Sequence, residues 1–266
     1  MPTAIQLENP AAAETRDSTA PVPFARQAGA HARFIAGGLS LTVRSFFRLG
    51  VANPGRERLE LHKGFARYLA LLERRGIIQT EFIGFEDAAS WHGSVIAPNH
   101  PSILDALLIA SRLPGIDCVM NSRLLRDPVM RGAANLCGFI RNDTPLSMVR
   151  DTQNRLTAGH NVLIFPEGTR TPNNATVGQF RHGYALAAAR SGALIRTVLI
   201  ECDSDYFGRE FAFFRPAPCP VRYRITASRV FQPLASEDPR NVSAGIEEFF
   251  RGSLARDGRA LRRSKP

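Results

Sequence analysis

Short apolar runs alternate with stretches of helical spacing through the middle of this chain, and that alternation restricts its fold more than any other feature. Residues 94–97, 116–120, 138–140, 161–165 and 194–201 have the length and composition of buried strands. Between them, residues 103–110, 146–156 and 180–190 read as helices, the last two ended by Ala158-Gly159 and Gly192. Residues 123–136 also look helical, but Pro128 breaks them or marks where the helix starts. Strands alternating with short helices predict an α/β fold with a mixed, largely parallel sheet flanked by helices on both faces. Residues 77–85 add a strand ahead of this series. Residues 211–214 and 221–231 add strands behind it, at a sheet edge.

The ends of the chain differ from the middle. Residues 1–30 are rich in Ala, Pro, Thr and Ser without periodicity and read as a disordered tail. No basic n-region or apolar h-region marks them as a signal peptide. Residues 31–76 read as an N-terminal amphipathic helical segment that associates with membrane. In its first helix Ile35, Leu39, Val43 and Phe46 share one face while Arg33, Arg44 and Arg48 cluster on another. Snorkelling arginines beside an apolar stripe suit a helix lying in a membrane interface, and packing on the core suits the same pattern. After a turn at Asn53-Pro54-Gly55, residues 57–75 form a second helix with Leu59, Phe65, Leu69 and Leu72 as its stripe and Gly76 as its stop. The main domain then covers residues 77–250. Residues 251–266 form a basic tail in which six basic residues face one acid, following a helix over residues 236–255.

At 266 residues and net charge +10, the chain buries a sizeable core and favours an anionic partner. Nucleic acid is disfavoured as that partner, because no recognised motif and no interleaving of aromatic and basic residues is present. Cys118, Cys137, Cys202 and Cys219 are widely spaced and read as reduced thiols, neither a disulfide frame nor a zinc site. No ligand cluster for a metal stands out, and no run of 18 apolar residues predicts a membrane span.

Two places have the residue types for chemistry. The first is Asn99-His100-Pro101-Ser102-Ile103-Leu104-Asp105, at a strand-to-helix junction. A His with an Asp five residues later is a candidate base with its orienting carboxylate. The same residues fit a capping box with Ser102 as N-cap and Asp105 at N3, and one geometry accommodates both. The second is Phe165-Pro166-Glu167-Gly168-Thr169-Arg170, where an apolar strand runs straight into a loop. Gly168 permits close backbone approach to a ligand, and Arg170 offers a planar fork for phosphate. Ligands of open α/β sheets bind outside the carboxyl ends of the strands, so the two segments are expected to share one crevice.

Together, Asn99-His100-x-x-x-x-Asp105 and the Phe165–Arg170 segment sixty residues on resemble the two signatures of the glycerolipid acyltransferase family, which includes the bacterial 1-acyl-glycerol-3-phosphate acyltransferases. The resemblance runs over residues 95–200. Asp127-Pro128 and Gly138-Phe139-Ile140-Arg141 fall where the family has its second block, and Phe180-Arg181-His182-Gly183 resembles its Phe-basic-x-Gly element. The chain departs from the family at two places. Arg141-Asn142-Asp143 stands where an Asp-Arg pair for the acceptor phosphate is common, and Ile195-Arg196-Thr197-Val198 lacks the usual proline of the fourth block.

The resemblance implies an O-acyltransferase that moves a fatty acyl group from acyl-CoA or acyl carrier protein to the hydroxyl of a lysophospholipid. 1-Acyl-glycerol-3-phosphate is the first candidate acceptor, giving phosphatidic acid in phospholipid biosynthesis. His100 is then the general base and Asp105 fixes its tautomer, with no cofactor and no metal. Asn99, Glu167, Gly168, Thr169, Arg170 and Arg141 are implied to bind substrate, with oxyanion donors expected among the backbone N–H groups of residues 166–168. Neither a G-x-S-x-G elbow nor a Cys beside the dyad suggests an acyl-enzyme. The expected partners are a membrane lipid acceptor, the thioester donor and an anionic membrane surface. Peripheral attachment to the cytoplasmic face of the inner (plasma) membrane follows from these. Two alternatives stand beside this reading: a lyso-aminolipid or other specialised hydroxyl as acceptor, and a non-catalytic lipid-binding protein.

Overall fold

Among the residues described, seven strands hydrogen-bond into one sheet that carries helices on both faces. The computed structural model describes residues 54–113, 115–121, 139–173, 175–204, 207–209 and 219–263, together with Gly29. The tail over residues 1–30 (Gly29 apart), the first N-terminal helix over 34–51, the broken helix over 123–136 and the strand over 211–214 all lie outside them.

The elements run in the order expected. Helix α1 (Pro54–Arg74) leads into β1 (Ile78–Ile83), followed by β2 (Val95–Pro98), α2 (Asp105–Arg112), β3 (Asp117–Met120) and β4 (Phe139–Arg141). Then come α3 (Pro145–Thr157), β5 (Val162–Leu163), α4 (Gly183–Ser191), β6 (Ile195–Cys202), β7 (Val221–Phe231) and α5 (Pro239–Arg263). The expected turn at residues 53–55 is instead the start of α1. Pro54 suits a first helical turn, where its missing N–H would have no partner anyway. At the other end, α5 continues through Arg263, so most of the basic stretch expected as a tail from residue 251 is helical.

The strand order is β1-β7-β6-β2-β5-β3-β4. Strands β6, β2, β5, β3 and β4 are mutually parallel, while β7 runs antiparallel to β6 and β1 follows β7. The sheet is therefore mixed and largely parallel, as the alternation predicts. Residues alternate across each strand, and both faces of the central ones are covered. In β2, Ile96 joins the core formed with Leu69 and Leu72 of α1 and Leu108 and Ile109 of α2. Its neighbours Val95 and Ala97 point the other way, into the core of α3, α4 and α5 with Val149, Ala188 and Phe250. All four residues of β2 are buried, which accounts for an unbroken apolar run where a half-exposed strand would alternate.

Local signals set the helix ends. Thr144 caps α3, its Oγ1 accepting the Ser147 N–H at 3.2 Å, with Pro145 opening the helix. Gly192, at φ +68°, closes α4 in the left-handed conformation that a glycine adopts freely. No described helix is long and apolar enough to cross a membrane.

Sheet order brings the two sequence signatures together. Strands β2 and β5 are neighbours, with Val95 opposite Val162 and Ile96 opposite Leu163. The segments leaving their carboxyl ends, residues 99–105 and 164–171, therefore lie side by side. Arg196 lies nearer the amino end of β6, over the ring of Trp91 at 4.7 Å, so this departure from the family's fourth block lies toward the other end of the sheet from the site.

Candidate active site

The first residue beyond β2 holds the site to β6. Asn99 is buried, its Nδ2 donating to the Ile200 carbonyl at 2.8 Å and its Oδ1 accepting the Ile200 N–H at 2.7 Å. Both ends of the amide are thus used on backbone. Expected among the substrate-binding residues, Asn99 serves here to carry the ladder one residue past the strand end.

His100 follows, with 19% of its side chain exposed. Its Nδ1 lies 2.9 Å from Oδ2 of the fully buried Asp105. One face of the imidazole stacks on Phe165, with ring centroids 3.8 Å apart and planes at 22°. Nε2 has no hydrogen-bond partner among the described residues.

Asp105 has a second donor, since its Oδ2 also accepts the Ser102 N–H at 2.8 Å. That is half of the expected capping box. The other half is displaced, because the Ser102 hydroxyl takes the Leu104 N–H at 3.1 Å instead of that of Asp105. Helix α2 accordingly starts at Asp105, with no side-chain cap from Leu104. Ser102 Oγ is also 2.8 Å from the Tyr223 hydroxyl of β7, so it is a buried, fully engaged group. Burial pushes the Asp105 carboxyl above its ordinary range, while His100 and the Ser102 N–H draw it back down.

The Phe165–Arg170 loop is fastened to this turn through Glu167. Its Oε1 accepts the His100 peptide N–H at 2.9 Å and the Thr171 hydroxyl at 2.7 Å, and its Oε2 accepts the Gly178 N–H at 2.7 Å. The Thr171 N–H in turn donates to the His100 carbonyl at 2.7 Å. Both peptide groups of His100 are thus held by the neighbouring loop, and Glu167 fixes the site from beneath. A Cβ on Gly178 would lie 2.6 Å from Glu167 Oε2, which explains why glycine stands there.

Gly168 and Thr169 form the exposed rim of the loop. Gly168 has φ +67°, its N–H closes the turn on the Phe165 carbonyl at 3.0 Å, and a Cβ there would meet Arg181 Nε at 3.0 Å. Of the oxyanion donors expected over residues 166–168, Pro166 has no N–H and Gly168 has used its own. Glu167 N–H is the one left. Gly168→Ala is expected to cost about 1–2 kcal/mol of stability from the left-handed backbone alone, read as a lowered denaturation midpoint.

Arg170 is half-buried, and its Nη1 donates to the Gly208 carbonyl at 2.5 Å. Desolvation lowers its pKa while the charge of Asp105 raises it, so the guanidinium lies within electrostatic reach of the dyad. Arg141 lies elsewhere. It ends β4 at the sheet edge, two strands from β5, or about 10 Å at ordinary strand spacing. Its Nε pairs with Asp143 at 3.6 Å, and both side chains are exposed.

Tyr223, Thr171, Gly178 and the segment 207–209 carry no motif in the sequence, yet all of them hydrogen-bond to the site's residues. No Cys adjoins the dyad in sequence, yet the end of β6 brings Cys202 within electrostatic range of Asp105. Burial pushes that thiol up to about 12, so it stays protonated and is no nucleophile.

The acyltransferase family model matches residues 79–201. A 1-acyl-sn-glycerol-3-phosphate acyltransferase alpha from Mus musculus is 29% identical over 138 residues, which is 48% of this chain and 47% of the mouse protein. The chain thus spans about half the length of that curated relative. In structure, the chain is similar to the 1-acyl-sn-glycerophosphate (LPA) acyltransferase PlsC from Thermotoga maritima. The TM-score is 0.67 at 16% identity, covering 87% of this chain and 96% of that one. At that identity the likeness establishes a shared fold.

Proposed function

The domain at residues 79–201 belongs to the acyltransferase family, and from that membership we propose that the chain moves a fatty acyl group from a thioester to the hydroxyl of a lysophospholipid. The observation that carries this reading is the His100–Asp105 pair at 2.9 Å, with Nε2 unpartnered among the described residues beside a loop that ends in Arg170. The first acceptor is 1-acyl-glycerol-3-phosphate and the product phosphatidic acid. The donor is acyl-CoA or acyl carrier protein.

Asp105 accepts the Nδ1 proton, which leaves the Nε2 lone pair facing the acceptor hydroxyl. As the hydroxyl oxygen bonds to the thioester carbonyl carbon, Nε2 takes its proton. The tetrahedral intermediate collapses with loss of the C–S bond, and the imidazolium returns the proton to the departing thiolate. Burial makes the Asp105 carboxylate a more basic partner for the imidazolium, and the Phe165 ring packs against the imidazole face and holds its plane. Glu167 and Asn99 act by holding the base in place. Gly168 and Thr169 form the surface a substrate approaches, and Arg170 binds the acceptor phosphate. An acceptor of this kind lies in a bilayer, so the protein works peripherally at an anionic membrane surface, on the cytoplasmic face of the inner membrane. The net charge of +10 supports such contact.

A second reading keeps the chemistry and changes the acceptor. Arg141 pairs with Asp143 at the sheet edge and adds no cation beside Arg170, which favours a lyso-aminolipid or another acceptor without a phosphate monoester. One assay separates the readings. Purified protein is given an acyl thioester, and thiol release is followed alone, with lysophosphatidic acid and with a lyso-aminolipid. Release that depends on lysophosphatidic acid is expected. Release without any acceptor would indicate a hydrolase, which the buried and engaged Ser102 Oγ argues against. No release under any condition would favour a lipid-binding protein.

A further inference from the structure

Residues 207–209 form a wall common to both halves of the site. The Phe207 carbonyl accepts the Ile103 N–H at 2.9 Å, joining this segment to the turn that holds His100 and Asp105. The Gly208 carbonyl accepts Arg170 Nη1 at 2.5 Å, joining it to the other loop. Phe207 is buried and anchors the segment, and the next side chain, Arg209, is exposed. Its positive charge bears on Arg170.

Two guanidinium groups are therefore held near one another beside the base, although like charges repel. Neither is paired with a carboxylate among the described residues. Asp105 is the acid in electrostatic range of Arg170, and its Oδ2 is already used by His100 and Ser102. Arg170 is braced by a neutral carbonyl, which orients the group without cancelling its charge. A phosphate dianion between the two would relieve the repulsion and accept from both forks. Arg209 is then a second cation beside Arg170, while Arg141 ends β4, two strands from β5, and pairs with Asp143.

We propose that Arg209 completes with Arg170 a two-guanidinium cradle for a phosphate monoester on the acceptor lipid, and so selects phosphorylated acceptors. This rests on the acyl-transfer reading above. Acyl donors also carry phosphate, so the test separates the two sources and includes a binding measurement that needs no turnover.

Arg209→Ala is expected to raise KM for lysophosphatidic acid about tenfold, as loss of a charged hydrogen bond does, while kcat and the KM for acyl-CoA stay close to wild type. Arg209→Lys, which keeps the charge and loses the fork, falls between. Arg150→Ala removes an equal charge from an exposed arginine of α3 and should change nothing. In calorimetry, glycerol 3-phosphate should bind wild type and bind more weakly to both Arg209→Ala and Arg170→Ala. A rise in donor KM alone would overturn the proposal, because the phosphate bound would then be the donor's. Unchanged acceptor KM and unchanged glycerol 3-phosphate binding in Arg209→Ala would overturn it as well. Should wild type transfer to no acceptor, the acyl-transfer reading fails, and the calorimetry alone decides whether the cradle binds phosphate.

Discussion

His100→Ala is expected to lower acyl transfer by about a hundredfold to ten-thousandfold, the usual contribution of a positioned general base, and to leave the fold in place. On the proposed mechanism the loss should fall on kcat, because the imidazole would act on the hydroxyl proton in the transition state while Arg170 and the loop rim remain to bind the acceptor. His100→Gln, which keeps a donor within reach of Asp105, should lose activity to a similar extent. That outcome separates proton transfer from simple support of the carboxylate. A folded His100→Ala protein with near wild-type turnover would remove His100 from the reaction.

The same substitution has a pH signature in stability. Asp105 is buried with a carboxyl already raised by desolvation, and removing His100 takes away its largest stabilising partner. An acid whose folded pKa lies above its unfolded value binds more protons in the folded state, so stability falls as pH rises from the ordinary carboxylate range to the raised value. His100→Ala should therefore be less destabilised, relative to wild type, in mild acid than in mild base. Denaturant titrations at the two pH values measure the difference.

Glu167→Ala should have the largest structural effect of any single loop substitution. It leaves three donors without an acceptor: the His100 and Gly178 peptide N–H groups and the Thr171 hydroxyl. At about 1 kcal/mol or more for each stranded donor, the loss is about 3 kcal/mol, a fall in Tm of roughly 10 °C for a domain of this size. Activity should fall too, even well below the new Tm, since His100 loses the link that sets its backbone. Glu167→Gln keeps one carbonyl acceptor and turns an NH2 toward the remaining donors, so it should rescue only part of the stability. A Tm within a degree or two of wild type in Glu167→Ala would show that the two loops are held by other means.

The strands were readable because each is a short apolar run and both sheet faces are covered, so no register had to be known. The rule that ligands bind outside the carboxyl ends of such strands then indicates which loops meet. The tasks of the polar residues in those loops were less readable. Asn99 and Glu167 look like ligand-binding side chains in the sequence, yet their groups are taken up by Ile200 and by His100, Thr171 and Gly178. Such partners depend on which strand lies alongside, which local spacing does not encode. Tyr223 is a further case, since it reaches Ser102 from β7, a strand that runs against the main direction of the sheet. Arg141 is expected at the crevice from its place in the second block, and sheet order puts it at the carboxyl end of β4, two strands from β5 and beside Asp143.

The Asn99 latch also bears on how the chain folds. It joins residues 101 apart, and the Ser102–Tyr223 bond joins residues 121 apart. Contacts of such sequence separation close large loops and form slowly compared with local helices. The His–Asp pair itself is local, five residues apart, but the groups that orient it arrive only when β6 and β7 have docked. Recovery of catalysis after dilution from denaturant should accordingly report completion of the whole sheet, lagging the return of helical signal from α2 and α3.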